Sequence, residues 1–489
     1  MGINSLLGVF GSLTFSQPWV MTALFVIFYI ALGILAFFRP VAAMIMYFGT
    51  SIMNPQASYP FLMGVPLAKI AAGVALAACL LHLRRLAFRF PMTLAALTGF
   101  LIMAVVATMT ALEPQLAQKR LDEFLKVGLL AILTAWAIAD RKDYTFFFWG
   151  ILASLAFDVL KNLVETQTLQ AWVGIQGVAG WINDSNDWAL ALAMGLPLFY
   201  VALALHWNRG WKARLVFGLA AIGALLTLTL TYSRGGFLAA VVSGLVFLLL
   251  ERKPWRIVAV GAVMALVVSF YMPGSYVDRV KSIFGLEEKA ASAWEKPVDE
   301  GEEYTGAERV YFWRIAYEVM RDNPIKGVGW GNFIKEYERR VSTTEGAVAH
   351  NTWFQVGAEG GEITLFFYVL MIGWAMAAAL RAYLRARRAG DAWGALHGRG
   401  ILAGMVAFCV GATFLSRENS ELLFVYVAMS VALSSLVSQT QPTREMRTEV
   451  VGGRPSPAPP ASRVFPGGGK ADGRKLPGRP VGDLRQPVA

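Results

Sequence analysis

The sequence predicts an all-α polytopic membrane protein of about 12 or 13 transmembrane helices, with one large water-exposed loop that contains short helices. Three observations predict it. The chain is 56% hydrophobic and only 16% charged, with a mean hydropathy of +0.51, far more apolar than a soluble domain tolerates on its surface. Apolar runs of roughly 17 to 22 residues, each long enough to cross a hydrocarbon core of about 30 Å as a helix, recur along nearly the whole length. Lysine and arginine gather in alternate short loops, as they do on the cytoplasmic side of membrane proteins.

In chain order the apolar runs fall at residues 19–38, 66–83, 92–112, 121–139, 143–164, 188–205, 213–231, 235–250, 255–272, 362–380, 398–415 and 421–437. A shorter run at 41–53 is either a further crossing or a re-entrant piece. These runs divide the chain into an N-terminal transmembrane bundle (1–272), a large loop (273–361), C-terminal transmembrane helices (362–437) and a tail (438–489). From Ser438 onward the composition turns to Pro, Gly and Arg, with nine basic residues against four acidic ones. Such a segment buries too little apolar surface to fold, so a disordered cytoplasmic tail is expected.

The segments His82 to Arg89, Arg209 to Arg214, Glu251 to Arg256 and Arg381 to Arg399 are basic and share one side when the crossings alternate, which makes that side the cytoplasm. His82, His206 and His397 are expected in the cytoplasmic loops, where an ordinary solvated role suffices. The 273–361 loop then lies outside, and its stretch from Glu287 to Glu303 is acidic. Residues 1–18 contain no Lys or Arg; they are external if 41–53 spans, and internal in a twelve-crossing count. The first apolar run lacks a basic start and a small-residue cleavage site, so no cleavable signal peptide is expected. The net charge of +11 points to anionic lipid heads and not to nucleic acid. Cys79 and Cys409 lie within apolar runs and read as packing residues.

Four polar places stand out from this apolar frame. Thr231-Tyr232-Ser233-Arg234-Gly235-Gly236 puts an arginine in a short external loop, beside glycines that make the turn. A snorkelling arginine fits there, and so does a guanidinium fork shaped for phosphate. Glu308 to Arg314 leads into a helically spaced apolar pattern, an amphipathic helix on or against the membrane domain, with Arg309 and Trp313 four apart on one face. Asn323-Pro324 through Gly327-Val328-Gly329 to Asn332-Phe333 looks like a nucleotide loop but follows no strand, so a tight turn after a helix is the plainer reading. His350-Asn351 stands at the junction of loop and membrane helix. No second His, Cys or carboxylate lies at ligand spacing, so no zinc site or other metal site is expected, and an imidazole of ordinary pKa near 6.5 suits a general base.

This succession, Ser233-Arg234-Gly235, Arg309 with Trp313, Asn323-Pro324 to Phe333, and His350-Asn351 with Glu359-Gly360, resembles the O-antigen ligase family of bacterial envelope proteins. Two further stretches, Phe38-Arg39-Pro40 to Met53-Asn54-Pro55 and Asn183 to Asp187, resemble the branch described as exosortase-associated O-glycosylation ligases. The chain departs from the family at Gly360-Gly361-Glu362, where an apolar residue usually separates the glycines, which leaves the branch open. The similarity covers about residues 20 to 437.

The resemblance implies a GT-C-like glycosyltransferase of the bacterial inner membrane with its active site facing the periplasm and no cofactor. Its implied partners are an undecaprenyl-diphosphate-linked glycan as donor, a lipid A core or protein as acceptor, and the surrounding lipids. Arg234 and Arg309 match the family's diphosphate-binding arginines and His350 its essential histidine. Arg314, Asn351, Lys119 and Arg120 lie on the same side as further substrate-binding residues. A polysaccharide polymerase or a protein O-oligosaccharyltransferase would use the same residues. A lipid-linked oligosaccharide flippase would instead place its cations along a path through several helices.

Overall fold

The computed structural model describes residues 18–58, 60–165, 184–251, 306–342 and 346–439, with isolated positions at 255 and 262. The expected span at 255–272, the acidic stretch from Glu287 to Glu303, residues 1–17 and the tail beyond Gln439 lie outside the described residues. Every regular element described is helical. In chain order they are α1 (Pro18–Ala36), α2 (Pro40–Met53), α3 (Leu67–Leu81), α4 (Met92–Met109), α5 (Pro114–Ala137), α6 (Arg141–Glu165), α7 (Ser185–His206), α8 (Trp211–Leu230), α9 (Arg234–Leu250), α10 (Gly306–Asp322), α11 (Phe333–Val341), α12 (Thr352–Gly360), α13 (Glu362–Ala389), α14 (Ala392–Gly411) and α15 (Glu421–Gln439). Single helical turns stand at Pro55–Ser58, Pro60–Leu62 and Leu83–Arg85.

Seven of these helices, α4, α6, α7, α8, α13, α14 and α15, are long and apolar enough to cross a membrane. The chain is a polytopic all-α membrane protein. Shorter apolar helices stand in α1, α2, α3 and α9. The segment at 41–53 is α2, begun by Pro40 at its first position and ended by Asn54 in the left-handed region. Its 14 residues rise only about 21 Å, and it is almost wholly buried among α1, α3 and α6.

The packing centre is α14, which lies against α7, α9, α13 and α15. The apolar windows of α7, α14 and α15 are 78%, 72% and 78% buried, against 28% for α8, so α8 is a lipid-facing outer helix. Small residues allow the close crossings. A Cβ on Gly404 would fall 2.4 Å from the Tyr426 ring, and one on Gly236 2.3 Å from Ala189. Gly236 therefore belongs to the α7–α9 crossing. The expectation that Gly235 and Gly236 form a turn is corrected: both sit in the first turn of α9, whose N-cap is Ser233.

The two ends of the bundle differ. At one end Arg141 pairs with Asp391, Arg399 with Glu251 at 2.6 Å, and the Tyr383 hydroxyl donates to the Leu250 carbonyl at 2.7 Å. Here the stretch expected as a basic loop from Arg381 to Arg399 is mostly helix. α13 runs on to Ala389 with Arg387 and Arg388 in its last turn, which complements the helix dipole, and only Gly390 and Asp391 separate it from α14. His397 is corrected with it. It is not a loop residue but a buried one inside α14, enclosed edge-on by Tyr144 at 4.9 Å and Phe148 at 4.7 Å. His206, likewise, is the last residue of α7 and packs against Trp149 and Phe217. The other end carries the polar helix starts and the folded part of the large loop.

Candidate active site

The folded loop is three short helices clipped to that second end. α10 packs on α12, and Ile315, Ala316, Val319, Val328, Phe333, Tyr337, Ala349 and Ala358 form a small separate core. The amphipathic helix expected over residues 308–320 is α10, seated against α12. The glycine-rich segment after it is the clip. Val328 and Gly329 donate backbone hydrogen bonds to the Ala358 and Glu359 carbonyls, Leu112 donates to Val328, and the Trp330 indole donates to the Ala104 carbonyl at 3.1 Å. Gly327 has φ +63°, and a Cβ there would meet the Glu359 backbone at 2.3 Å. This geometry is the tight structural turn foreseen for the segment.

His350 is set just before α12 with φ 48°, a left-handed conformation uncommon outside glycine. Its neighbour explains the turn. Asn351 caps α12 by accepting from the Trp353 and Phe354 amides, and its side-chain amide donates to the Thr413 carbonyl at 3.0 Å. Thr352 donates to the Leu415 carbonyl at 2.6 Å, while its amide donates to Ala412. The start of α12 is thus laced to the segment that follows α14, and His350 is carried on that join.

Arg309, in the first turns of α10, reaches the same segment and donates to the Phe414 carbonyl at 3.2 Å. Trp313, one turn on, lies near both Phe354 and Phe414, with ring centroids 6.3 and 6.5 Å apart. Arg234 opens α9, and its cap Ser233 donates to Asn186 Oδ1 at 2.7 Å, which ties the start of α9 to the start of α7. Asp184 is the N-cap of α7.

These groups feel one another. Burial lowers the pKa of Arg309, and the Arg234 guanidinium lowers it further while Asp184 opposes. Burial, then Arg309, pushes His350 down to about 4, again against Asp184. Two guanidiniums, one imidazole and one carboxylate therefore share a partly buried electrostatic field where α7, α9, α10 and α12 converge. At neutral pH the imidazole is unprotonated and the field is cationic.

The other residues expected at the site are placed differently. Asn351 adjoins His350 but is used as a helix cap. Arg314 pairs with Glu318 on its own helix at 2.9 Å. Lys119 is exposed on α5. Arg120 pairs with Glu123 at 3.2 Å and also feels Glu418 and Glu359. It therefore belongs to a neighbouring polar cluster. In that cluster Arg417 pairs in a bidentate manner with Asp187 of α7, and its amide donates to Thr352 at 2.9 Å. The Glu359 carboxylate accepts from Gln355 at 2.7 Å. Sequence reasoning passed over Arg417. The signal was the polar string Arg417-Glu418-Asn419 in a gap of only five residues between two apolar runs, at the end of the bundle where arginine is also found at 234.

Residues 218–369 match the family model described as O-Antigen ligase, and residues 20–171 match a Family of unknown function (DUF5935). An O-antigen ligase of Salmonella typhimurium (strain LT2) is 25% identical over 199 residues, which cover 38% of this chain and 46% of that protein. Over residues 218–369 the chain is therefore similar to O-antigen ligases. The match spans less than half the length of the curated relative. The O-antigen ligase segment contains Arg234, Arg309, Arg314, His350 and Asn351, whereas Lys119 and Arg120 fall in the other matched segment. Asp184, Asp187 and Arg417, which complete the polar surroundings, lie outside both.

Proposed function

We propose that this chain is a member of the O-antigen ligase family and acts as a metal-independent, inverting membrane glycosyltransferase. It moves a glycan from undecaprenyl diphosphate to a hydroxyl of lipid A core or of a protein, at the periplasmic face of the inner membrane. The single observation that carries the reading is the shared field of His350, Arg309, Arg234 and Asp184 at one end of the bundle.

In the reaction the acceptor oxygen attacks the anomeric carbon while the bond from that carbon to the phosphate oxygen breaks. The acceptor proton passes to the His350 imidazole, and the departing diphosphate keeps the bonding electron pair. Arg234 and Arg309 take up that charge. Charge-assisted hydrogen bonds contribute roughly 1.5 to 3 kcal/mol each, so two guanidiniums supply several kcal/mol where the charge grows. A single in-line displacement inverts the anomeric centre.

The low pKa of His350 fits this sequence of events. A group near 4 is neutral and ready to accept a proton, but it is a weak base while burial and the Arg309 guanidinium depress it. A bound diphosphate offsets the Arg309 charge, so the imidazole gains proton affinity once the donor is in place. The general base is then strongest in the complex that needs it.

The deciding experiment is transfer in vitro from an undecaprenyl-diphosphate glycan to lipid A core, to protein and to a second glycan chain. Transfer to one of the first two, abolished in His350→Ala with membrane insertion intact, supports the reading. Transfer to another glycan alone makes the protein a polymerase, and a fully active His350→Ala enzyme removes the general base. Activity lost in EDTA and restored by a divalent ion would count against direct charge uptake by the arginines.

A further inference from the structure

At the end of the bundle opposite His350, a cavity of about 580 Å³ opens between the start of α4, the last turns of α13 and the end of α15. Among the described residues its lining includes Arg89, Arg381 and Arg385, the hydroxyl residues Ser434 and Ser438, and Trp374, and no carboxylate. That charge pattern is unlike the rest of this end, where Arg141 is matched by Asp391 and Arg399 by Glu251. Among the described residues Arg381 and Arg385 have no acidic partner. Arg89 is held in place by donating to the Ile138 and Ala432 carbonyls. Arg381 lies over the Trp374 ring at 5.6 Å.

The depth of this cavity is set by α13. Counted from Glu362, Arg381 lies roughly 28 Å and Arg385 roughly 34 Å along the helix axis, at about the thickness of a hydrocarbon core of roughly 30 Å. The guanidiniums therefore stand at headgroup level. The rim is apolar and open, with Phe90 and Met92 61% and 62% exposed, so whatever sits here meets acyl chains as well as cations.

We propose that this cavity binds the phosphate headgroup of an anionic glycerophospholipid, with the lipid chains lying along the exposed faces of α4 and α13. Phosphate is the common chemistry of a lipid head and a free anion. The apolar rim and the depth select the lipid, because a free anion gains nothing from either. The site stands apart from the His350 end and is independent of the reaction proposed there.

The full chain, purified in neutral detergent, is titrated with phosphatidylglycerol, with phosphatidylcholine of the same chains and with inorganic phosphate, and retained lipid is counted by native mass spectrometry. Phosphatidylglycerol binds in preference to phosphatidylcholine, and R381Q/R385Q weakens it by at least about tenfold, because two charges facing the anionic head are lost. R381K/R385K keeps most of the binding, and R84Q/R388Q, the same loss of charge outside the cavity, changes it less than about twofold. If the double variant does not purify, R385Q alone gives the reading from the exposed end of the helix. Equal loss in R84Q/R388Q, unchanged binding in the cavity variants, or displacement of the lipid by millimolar inorganic phosphate overturns the proposal.

Discussion

Burial and, after it, the guanidinium of Arg309 hold the imidazole of His350 at about 4, although Arg309 stands in α10 and His350 just before α12, 41 positions apart in the chain. The coupling has a measurable consequence. Replacing Arg309 with Gln removes one of the two forces that depress His350, so the imidazole titrates at higher pH. Nuclear magnetic resonance of the labelled histidines, of which there are four, reads this directly. A His350 titration that does not move on substitution breaks the link between the two groups.

The same coupling shapes the pH profile of transfer. Activity needs the neutral imidazole and is lost as pH falls through its pKa. In kcat/KM, which reports the free enzyme, the acid limb falls near 4. In kcat, which reports the donor complex, it lies higher because the diphosphate offsets the Arg309 guanidinium. Coincident acid limbs in the two profiles would falsify the idea that donor binding strengthens the base.

Arg234 and Arg309 are expected to share the donor phosphate. Neutralising either by substitution with Gln removes one charge-assisted contact of roughly 1.5 to 3 kcal/mol and weakens donor use by roughly 10- to 100-fold. The two differ in one respect. Arg309 also donates to the Phe414 carbonyl and ties α10 to the segment after α14, so R309Q also lowers thermal stability. Donor binding measured on both variants against acceptor concentration separates charge from scaffold, and undiminished affinity in either one removes that residue from the phosphate site.

Gly327 offers a purely structural test. An alanine there must adopt φ +63° and place its Cβ 2.3 Å from the Glu359 backbone, with no flexible side chain to give way. The strain and overpacking together destabilise the loop by roughly 1 to 3 kcal/mol or more. Because this turn clips α10 and α12 to the α4–α5 junction, the variant loses transfer and protease resistance of the loop together. An active, protease-resistant G327A enzyme means the clip does not set the site.

Much of the architecture could be read from periodicity and charge, because a bilayer leaves helices as almost the only way to satisfy the backbone. The spans of α4, α6, α7, α8, α14 and α15 show as apolar runs, and the amphipathic spacing from Arg309 onward shows as α10. Three things were hidden. The turn glycines of 235–236 are crossing glycines, since only the packed bundle shows that Ala189 lies opposite Gly236. His397 read as a loop histidine because the arginines of α13 disguise two further helical turns as a polar linker. Asp184, which acts on His350, and Asp187 and Arg417 of the neighbouring cluster come from stretches far apart in sequence, and nothing in their local spacing joins them.

Glu359 gives the last test, since its burial is not offset by a full complement of charge. Burial and the neighbouring Glu418 raise its pKa to about 8, against opposing hydrogen bonds from the backbone and Gln355 and the attraction of Arg120. A carboxyl of ordinary pKa 4.5 in the unfolded chain thus holds its proton more tightly when folded. Between about 4.5 and 8 the native state binds more protons than the unfolded one, so this group makes stability fall as pH rises through that window, levelling off above it. Glu359→Gln retains an oxygen to accept from the Gln355 amide and removes the ionisation. The variant is therefore expected to match the parent near pH 4.5 and to exceed it in thermal stability at pH 8.5, with the gap opening across the window. A gap that is absent, or that closes with rising pH, means that Glu359 is ionised in the folded protein and that Arg120 is its true counter-ion.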